Sequence, residues 1–464
     1  MSQPEPSTAP SPRLSGFDAT MLVMGGIVGV GIFFTPHKVA ALVPHGGWQL
    51  FLWALGAGVA LCGAATFAEL GGTFPRAGGW FEFLREIFGP FAAFLFAWVI
   101  LGVVSTGAIA VIAGIGARFL GPVLPGGMFA GLEAQLGMAA FTIVAITGLA
   151  LAGVRVSVSF QNLCMLTKLV AIAGLVVAGL VYVADPQVSA STTRAASEAA
   201  PPLWRGLVAA SLPVLFSYGG WQMLCYVAPE VREPERVLPR AIVLGVAGVG
   251  LVYLAANAAF LRALGSEGLA TTNAFAAEVA QRGFGERAGT ALTAAMGVSA
   301  LGIATVNILA TPSIYVAMAK HGLFFRGFAR LHSRTGAPTL ALCAQLALAL
   351  TYLGVGHPAV GLLDLDTLTG SVVFAEWFFH ALTAYGLIRL RRTRPELPRP
   401  YTSFAFPLLP GLYLLVALSV IVGNLYVSSR GAEGARTVGL GLGVMLLGAL
   451  VYAPWRALVA RGTD

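Results

Sequence analysis

Two glycine-rich runs carry the chemistry that this 464-residue sequence displays most openly. In the first, Gly25, Gly26, Gly29 and Gly31 crowd the stretch from Phe17 to Pro36. In the second, Gly219 and Gly220 follow Pro213-Val-Leu-Phe-Ser-Tyr and precede Trp221. Glycine frees the backbone to leave helical geometry. A helix interrupted there exposes N–H groups at the start of its second half and carbonyls at the end of its first. Such N–H groups attract a carboxylate and such carbonyls accept from an ammonium, so a zwitterion fits both ends. The first run taken alone also fits close helix packing through small residues. Its recurrence five apolar spans later points instead to two broken helices meeting at mid-membrane.

The ionisable residues inside apolar stretches are few. Lys168 lies within Cys164-Met-Leu-Thr-Lys-Leu-Val-Ala-Ile-Ala-Gly174, where insertion costs a lysine about 2.5–3.5 kcal/mol. Either a partner repays that cost, or the side chain snorkels to the interface. Glu376 and His380 share a helix face by their four-residue spacing, which fits a structural pair, a gate contact or a proton relay. Glu69 and Glu230 end their spans beside arginines and read as loop-locking partners. Cys62, Cys164, Cys225 and Cys343 lie in apolar segments with no CxxC pair, as small buried hydrophobes do. His37, His45, His321, His332, His357 and His380 form no HExxH or other ligand set, and no GxSxG nucleophile motif occurs. A membrane enzyme, a metal site and a cofactor are therefore not expected.

The elements that must position these residues follow from composition. The sequence is 57% hydrophobic and 10% charged, with mean hydropathy +0.82, whereas soluble domains are about 25% charged. A span needs about 20 mainly apolar residues. Twelve candidates appear, at 17–43, 47–73, 86–117, 128–153, 156–183, 204–228, 238–263, 286–319, 337–355, 362–389, 404–427 and 434–459. The predicted architecture is an all-α polytopic membrane protein of twelve transmembrane helices, the first and sixth broken at mid-membrane. Residues 1–16, rich in Pro and Ser, read as a disordered cytoplasmic tail without the pattern of a cleaved signal peptide. Residues 184–203 have the composition of a loop. The absence of a signalling domain weighs against a membrane sensor.

The net charge of +8 is topological and does not indicate nucleic acid. With the N-terminus inside, eighteen of the 28 Lys and Arg fall on the cytoplasmic side and nine on the other, with Lys168 inside a span. This excess, concentrated in the loops 320–334 and 389–399, places both termini in the cytoplasm of an inner membrane, against anionic lipid.

With these residues in hand, the sequence resembles the amino acid-polyamine-organocation (APC) transporters, and within them the L-type amino acid transporter branch with its prokaryotic relatives. The resemblance rests on Gly29-Val-Gly-Ile-Phe33, Phe67-Ala-Glu-Leu-Gly71, Pro75-Arg-Ala-Gly-Gly79 and Phe216-Ser-Tyr-Gly-Gly-Trp221. It continues through Pro229-Glu-Val-Arg-Glu-Pro-Glu-Arg236, Leu238-Pro-Arg-Ala-Ile242, the segment Asn307 to Gly322, and Arg399-Pro-Tyr401, in the family's order and over nearly the whole chain. What it implies is a LeuT-type five-plus-five inverted repeat, residues 17–183 and 204–389, with two accessory helices in 390–464, moving amino acids by alternating access. By motif position, Gly29, Val30 and Gly31 would hold the substrate carboxylate. Ile27, Phe216, Ser217 and Gly219 would offer carbonyls to its amino group, with Phe216 as an aromatic lid facing outside. Gln222 would contribute to side-chain selectivity. Lys168 would point at the first break, where sodium-coupled relatives of the fold keep an ion. Many relatives have serine at Val30, so here the backbone alone would bind the carboxylate. No acidic residue stands in the two glycine segments, which favours neutral substrates. The resemblance further implies exchange of one amino acid for another or proton-coupled uptake, without an accessory subunit.

Overall fold

The first apolar run stops being helical at Ile27. In the computed structural model, which describes residues 13–124, 129, 131–181, 202–272, 274–356, 365–428 and 432–461, helix α1 spans Gly16–Ile27 and α2 spans Thr35–Leu42. A 3-10 turn, Val30–Phe33, lies between them. Ser15 and Asp18 close a capping box at the start of α1, satisfying N–H groups that the helix cannot pair itself. The chain continues through α3 (Gly46–Thr73), α4 (Trp80–Phe88), α5 (Pro90–Val99), α6 (Ser105–Leu120), α7 (Leu132–Ala152) and α8 (Val154–Val181). Helix α9 (Leu203–Ser217) ends at the second break and is followed by a single α-helical turn, α10 (Met223–Tyr226), and a 3-10 turn, Ala228–Glu230. Then come α11 (Pro234–Thr271), α12 (Phe275–Phe284), α13 (Glu286–Ala310), α14 (Pro312–Lys320), α15 (Thr339–Val355), α16 (Leu365–Thr393), α17 (Leu408–Ser428) and α18 (Ala432–Arg461).

Eight helical stretches among the described residues are long and apolar enough to cross a membrane, and α1, α9 and α15 are shorter apolar helices. The protein is a predominantly helical, polytopic membrane protein. Its one β feature among those residues is an isolated parallel bridge between Leu14 and Val231. In the most apolar window of the α13–α14 stretch, 72% of residues are buried, against 22% in α17 and in α18. The former is central and the latter two are peripheral. Helix α11 packs along α3, and α1 lies against α8, α11 and α13, which brackets both breaks between long helices.

Several boundaries depart from the sequence expectation. The third span begins at Pro90, because residues 80–88 form a separate amphipathic helix. Its residues Ile100–Val104 open into a π turn, where the freed Gly102 carbonyl accepts from the Tyr352 hydroxyl at 2.7 Å. The seventh helix runs well past residue 263, with a kink at Gly265, where φ is 67°. Thr311-Pro312 divides the eighth span. Cys343 is exposed on α15, unlike buried Cys164 and Cys225, because its helix presents that face outward. Most of the expected tail 1–16 and loop 184–203 lies outside the described residues.

Candidate substrate site

The two breaks meet backbone to backbone at Gly26 and Gly220. A Cβ on Gly26 would stand 3.0 Å from the Gly220 carbonyl oxygen, and one on Gly220 would stand 2.3 Å from that of Gly26. Gly220 also has φ of 119°, a conformation that glycine adopts without strain. Each break therefore requires glycine at the point where it meets the other. Around this contact, a Cβ on Gly29 would collide with the Ile303 side chain, and one on Gly31 would lie 3.0 Å from the Ser217 hydroxyl. Ser217 itself bonds the Thr35 hydroxyl at 2.8 Å, tying the end of α9 to the start of α2.

The expected carbonyl acceptors are partly engaged. The Tyr253 hydroxyl, from α11, lies 3.1 Å from the carbonyl of Ile27 and 3.2 Å from that of Ser217. One side chain thus bridges the last carbonyls of both first half-helices. The Phe216 carbonyl accepts from the Gly219 N–H at 3.1 Å. A carbonyl oxygen has a second lone pair, so those of Ile27 and Ser217 can each accept one further bond. Val28 and Gly29 are extended, which turns the Val30–Phe33 backbone out of the α1 axis. The Phe216 side chain is 49% exposed, beside buried Ser217 and Tyr218.

Lys168, 1% exposed, sends its ammonium from α8 into the first break. It donates to the Val28 carbonyl at 2.7 Å and lies 3.5 Å from that of Gly25. Gly302 of α13 leaves it room, since a Cβ there would fall 3.1 Å from Nζ. One helical turn or more away, Gln161 donates to the Met21 carbonyl and Asn162 to the Asp18 carboxylate, so α8 grips α1 at several levels.

Gln222 does not stand alone at the second break. Its Oε1 accepts from the Gly220 N–H at 3.2 Å, and its Nε2 donates to Glu376 of α16 at 2.7 Å. Glu376 and His380 face each other across 3.9 Å, which is too long for a direct hydrogen bond. His380 is bonded instead through Nδ1 to the Tyr413 hydroxyl at 2.7 Å. The sequence reading had this pair on one face but missed both outer partners, which are remote in the chain.

On the face that carries Glu230 and Lys320, a cavity of about 870 Å³ opens between α7, α10, α14 and the segment after α14, with Tyr226, Ser313 and His332 in its lining. The backbone carbonyl of Glu230 accepts from the N–H groups of Arg13 and Leu14 at 2.9 and 2.8 Å. Its carboxyl forms no ion pair within 4 Å among the described residues, so the tie expected from its side chain is made by its main chain. Glu69, by contrast, receives Arg391 through two bonds of 2.7 and 2.6 Å, as well as the Ser403 N–H at 2.8 Å. No group of three His, Cys, Asp or Glu among the described residues is placed to hold a metal.

Compared with known families, residues 14–447 match the amino acid permeases. The chain belongs to the amino acid permease family. Human large neutral amino acids transporter small subunit 2 is 29% identical over 434 residues, covering 93% of this chain and 78% of that protein. The serine/threonine exchanger SteT of Bacillus subtilis (strain 168) is 28% identical over 427 residues, 91% of this chain and 93% of that protein. The human cystine/glutamate transporter is 29% identical over 442 residues, 93% of this chain and 82% of that protein. These similarities place the permease in the L-type branch of the APC superfamily, as a transporter and not an enzyme.

Proposed function

We propose that this permease exchanges neutral L-amino acids across the cytoplasmic membrane by alternating access, with both termini inside and without an accessory subunit. The observation that carries the reading is the meeting of two helix breaks through the bare backbone of Gly26 and Gly220. Helix ends gathered there offer N–H groups to a carboxylate and carbonyls to an ammonium. In this reading the N–H groups of Gly29, Val30 and Gly31 bind the carboxylate. The carbonyls of Ile27, Phe216, Ser217 and Gly219 take the amino group. Phe216 covers the substrate, Lys168 holds the first break in shape, and Gln222 contacts the substrate side chain. Twelve spans in two inverted halves, 17–183 and 204–389, fit the matched positions of the breaks and the pairing of α3 with α11. Exchange is the activity of the similar serine/threonine exchanger SteT, as its name states.

The test is uptake of radiolabelled amino acids by the purified chain alone in proteoliposomes, with and without internal amino acid. Uptake that requires internal amino acid is expected. Equal uptake into empty vesicles would overturn exchange, and competition by arginine as strong as by neutral amino acids would overturn the neutral assignment. A second reading, proton-coupled uptake, is favoured by Glu376, an intramembrane carboxyl with no Lys or Arg partner among the described residues. Uptake into empty vesicles driven by a proton gradient is its signature.

A further inference from the structure

We propose that the carboxyl of Glu376, joined through Gln222 to the second helix break, is a proton-binding site of the transport cycle. The inference rests on the transport reading above and adds a ligand, the proton, with a named acceptor.

The argument begins with what surrounds the group. On its own helix, His380 stands 3.9 Å away. From α10 come Gln222, which donates to Oε1, and Tyr226; from α17 comes Tyr413, with Cys62 of α3 behind it. From α4, the Trp80 ring lies tilted against His380 with ring centroids 4.5 Å apart. None of these is a fixed cation. An intramembrane carboxylate without one is expensive, and taking up a proton removes that cost.

His380 does not supply the missing charge. Its imidazole is enclosed by the rings of Phe67, Trp80, Trp221, Trp377 and Tyr413. Its Nδ1 is held by the Tyr413 hydroxyl at 2.7 Å, and its Nε2 stays 3.9 Å from the carboxyl, beyond a direct hydrogen bond. The carboxyl is also reachable. The Glu376 side chain keeps 22% of its surface open, whereas His380 keeps 5%. Open surface on a carboxylate at this depth belongs to a watered chamber, because acyl chains would leave it unsolvated.

The proton's effect can be followed bond by bond. Water delivers it to Oε2, since Oε1 already accepts from Gln222, and the reverse step returns it to water. An ionised acceptor makes the stronger bond, so protonation slackens the hold of Glu376 on the Gln222 amide. That amide accepts from the Gly220 N–H, and Gly220 touches Gly26. The protonation state of one carboxyl therefore reaches the contact between both breaks through two hydrogen bonds.

The test uses the full-length chain in proteoliposomes that enclose a pH-sensitive dye, with and without unlabelled internal amino acid, and with labelled amino acid added outside. Wild-type protein is expected to show substrate-driven proton movement and uptake that depends on pH. Glu376→Gln should lose the proton movement and flatten the pH profile, while Glu376→Asp should retain both. Wild-type uptake without any proton movement would overturn the proposal, and that result needs no variant to fold. An unchanged pH profile in Glu376→Gln would also overturn it. Failure of wild-type protein to move any amino acid at any pH would overturn the transport reading itself, a result distinct from the other two.

Discussion

Lys168 lies where removing one side chain should be felt directly at the substrate site. Its bond to the Val28 carbonyl is buried, and leaving that acceptor unpaired costs about 1–3 kcal/mol; no other lysine among the described residues bonds that break. Lys168→Ala should therefore lower uptake at least about tenfold while the protein still inserts. Normal kinetics in reconstituted vesicles would contradict this. Tyr253→Phe removes the hydroxyl that spans the Ile27 and Ser217 carbonyls, at a cost of about 1–3 kcal/mol, and should slow transport by about tenfold or more without preventing insertion. Gly220→Ala forces a Cβ to 2.3 Å from the Gly26 carbonyl at a φ of 119°. It should lower the thermal midpoint sharply, by at least about 2 kcal/mol of stability, as measured on purified protein. Lys168 and the glycines were legible in the sequence because charge and missing side chains are rare marks in an apolar run. Tyr253 was not, since a tyrosine within a long helix announces no partner 226 residues away. The Gln222–Glu376 bond crosses 154 residues and was hidden for the same reason.

Among the elements, the long apolar helices were legible and the short ones were not. Hydropathy finds runs near membrane thickness, but α4 and α12 are short amphipathic segments with charged ends, and a window tuned to spans passes over them. The turn that follows the second break was overestimated for a related reason. Apolar composition continues through residue 228, yet helical geometry in α10 lasts four residues. That leaves the end of the sixth span to be held by the segment before α1, through the Leu14–Val231 bridge and the Glu230 carbonyl. Burial pushes the Glu230 carboxyl above the usual glutamate range, with Arg13 opposing. A raised carboxyl binds its proton more tightly when packed than when released. The packed arrangement is thus favoured at pH below the ordinary glutamate value, and that advantage fades as pH rises through the raised one. Proteolysis near residues 13–16 should accelerate over that interval in wild type and lose this dependence in Glu230→Gln, as limited digestion at a series of pH values would show.

For the whole molecule, one buried ion pair ties distant regions. Glu69 at the end of α3 holds Arg391 near the end of α16 and the main chain at Ser403, joining the first proposed half to the segment before α17. Breaking a buried pair by removing one partner costs about 3–5 kcal/mol. Glu69→Ala should lower thermal stability by that order and shift the balance between conformations, read as altered solvent accessibility of cysteines introduced along the cavity beside Glu230. The sequence pointed to this lock from the position of Glu69 alone, without identifying the arginine, because several arginines compete in 389–399. The contact between Gly26 and Gly220 has a consequence for redesign. Where two main chains abut with no side chain between them, that wall of the chamber has no residue to vary, and substitution there damages the scaffold before it alters preference. New selectivity, in the laboratory or by natural divergence, must enter through side chains beside the contact, such as Ile303 and Gln222.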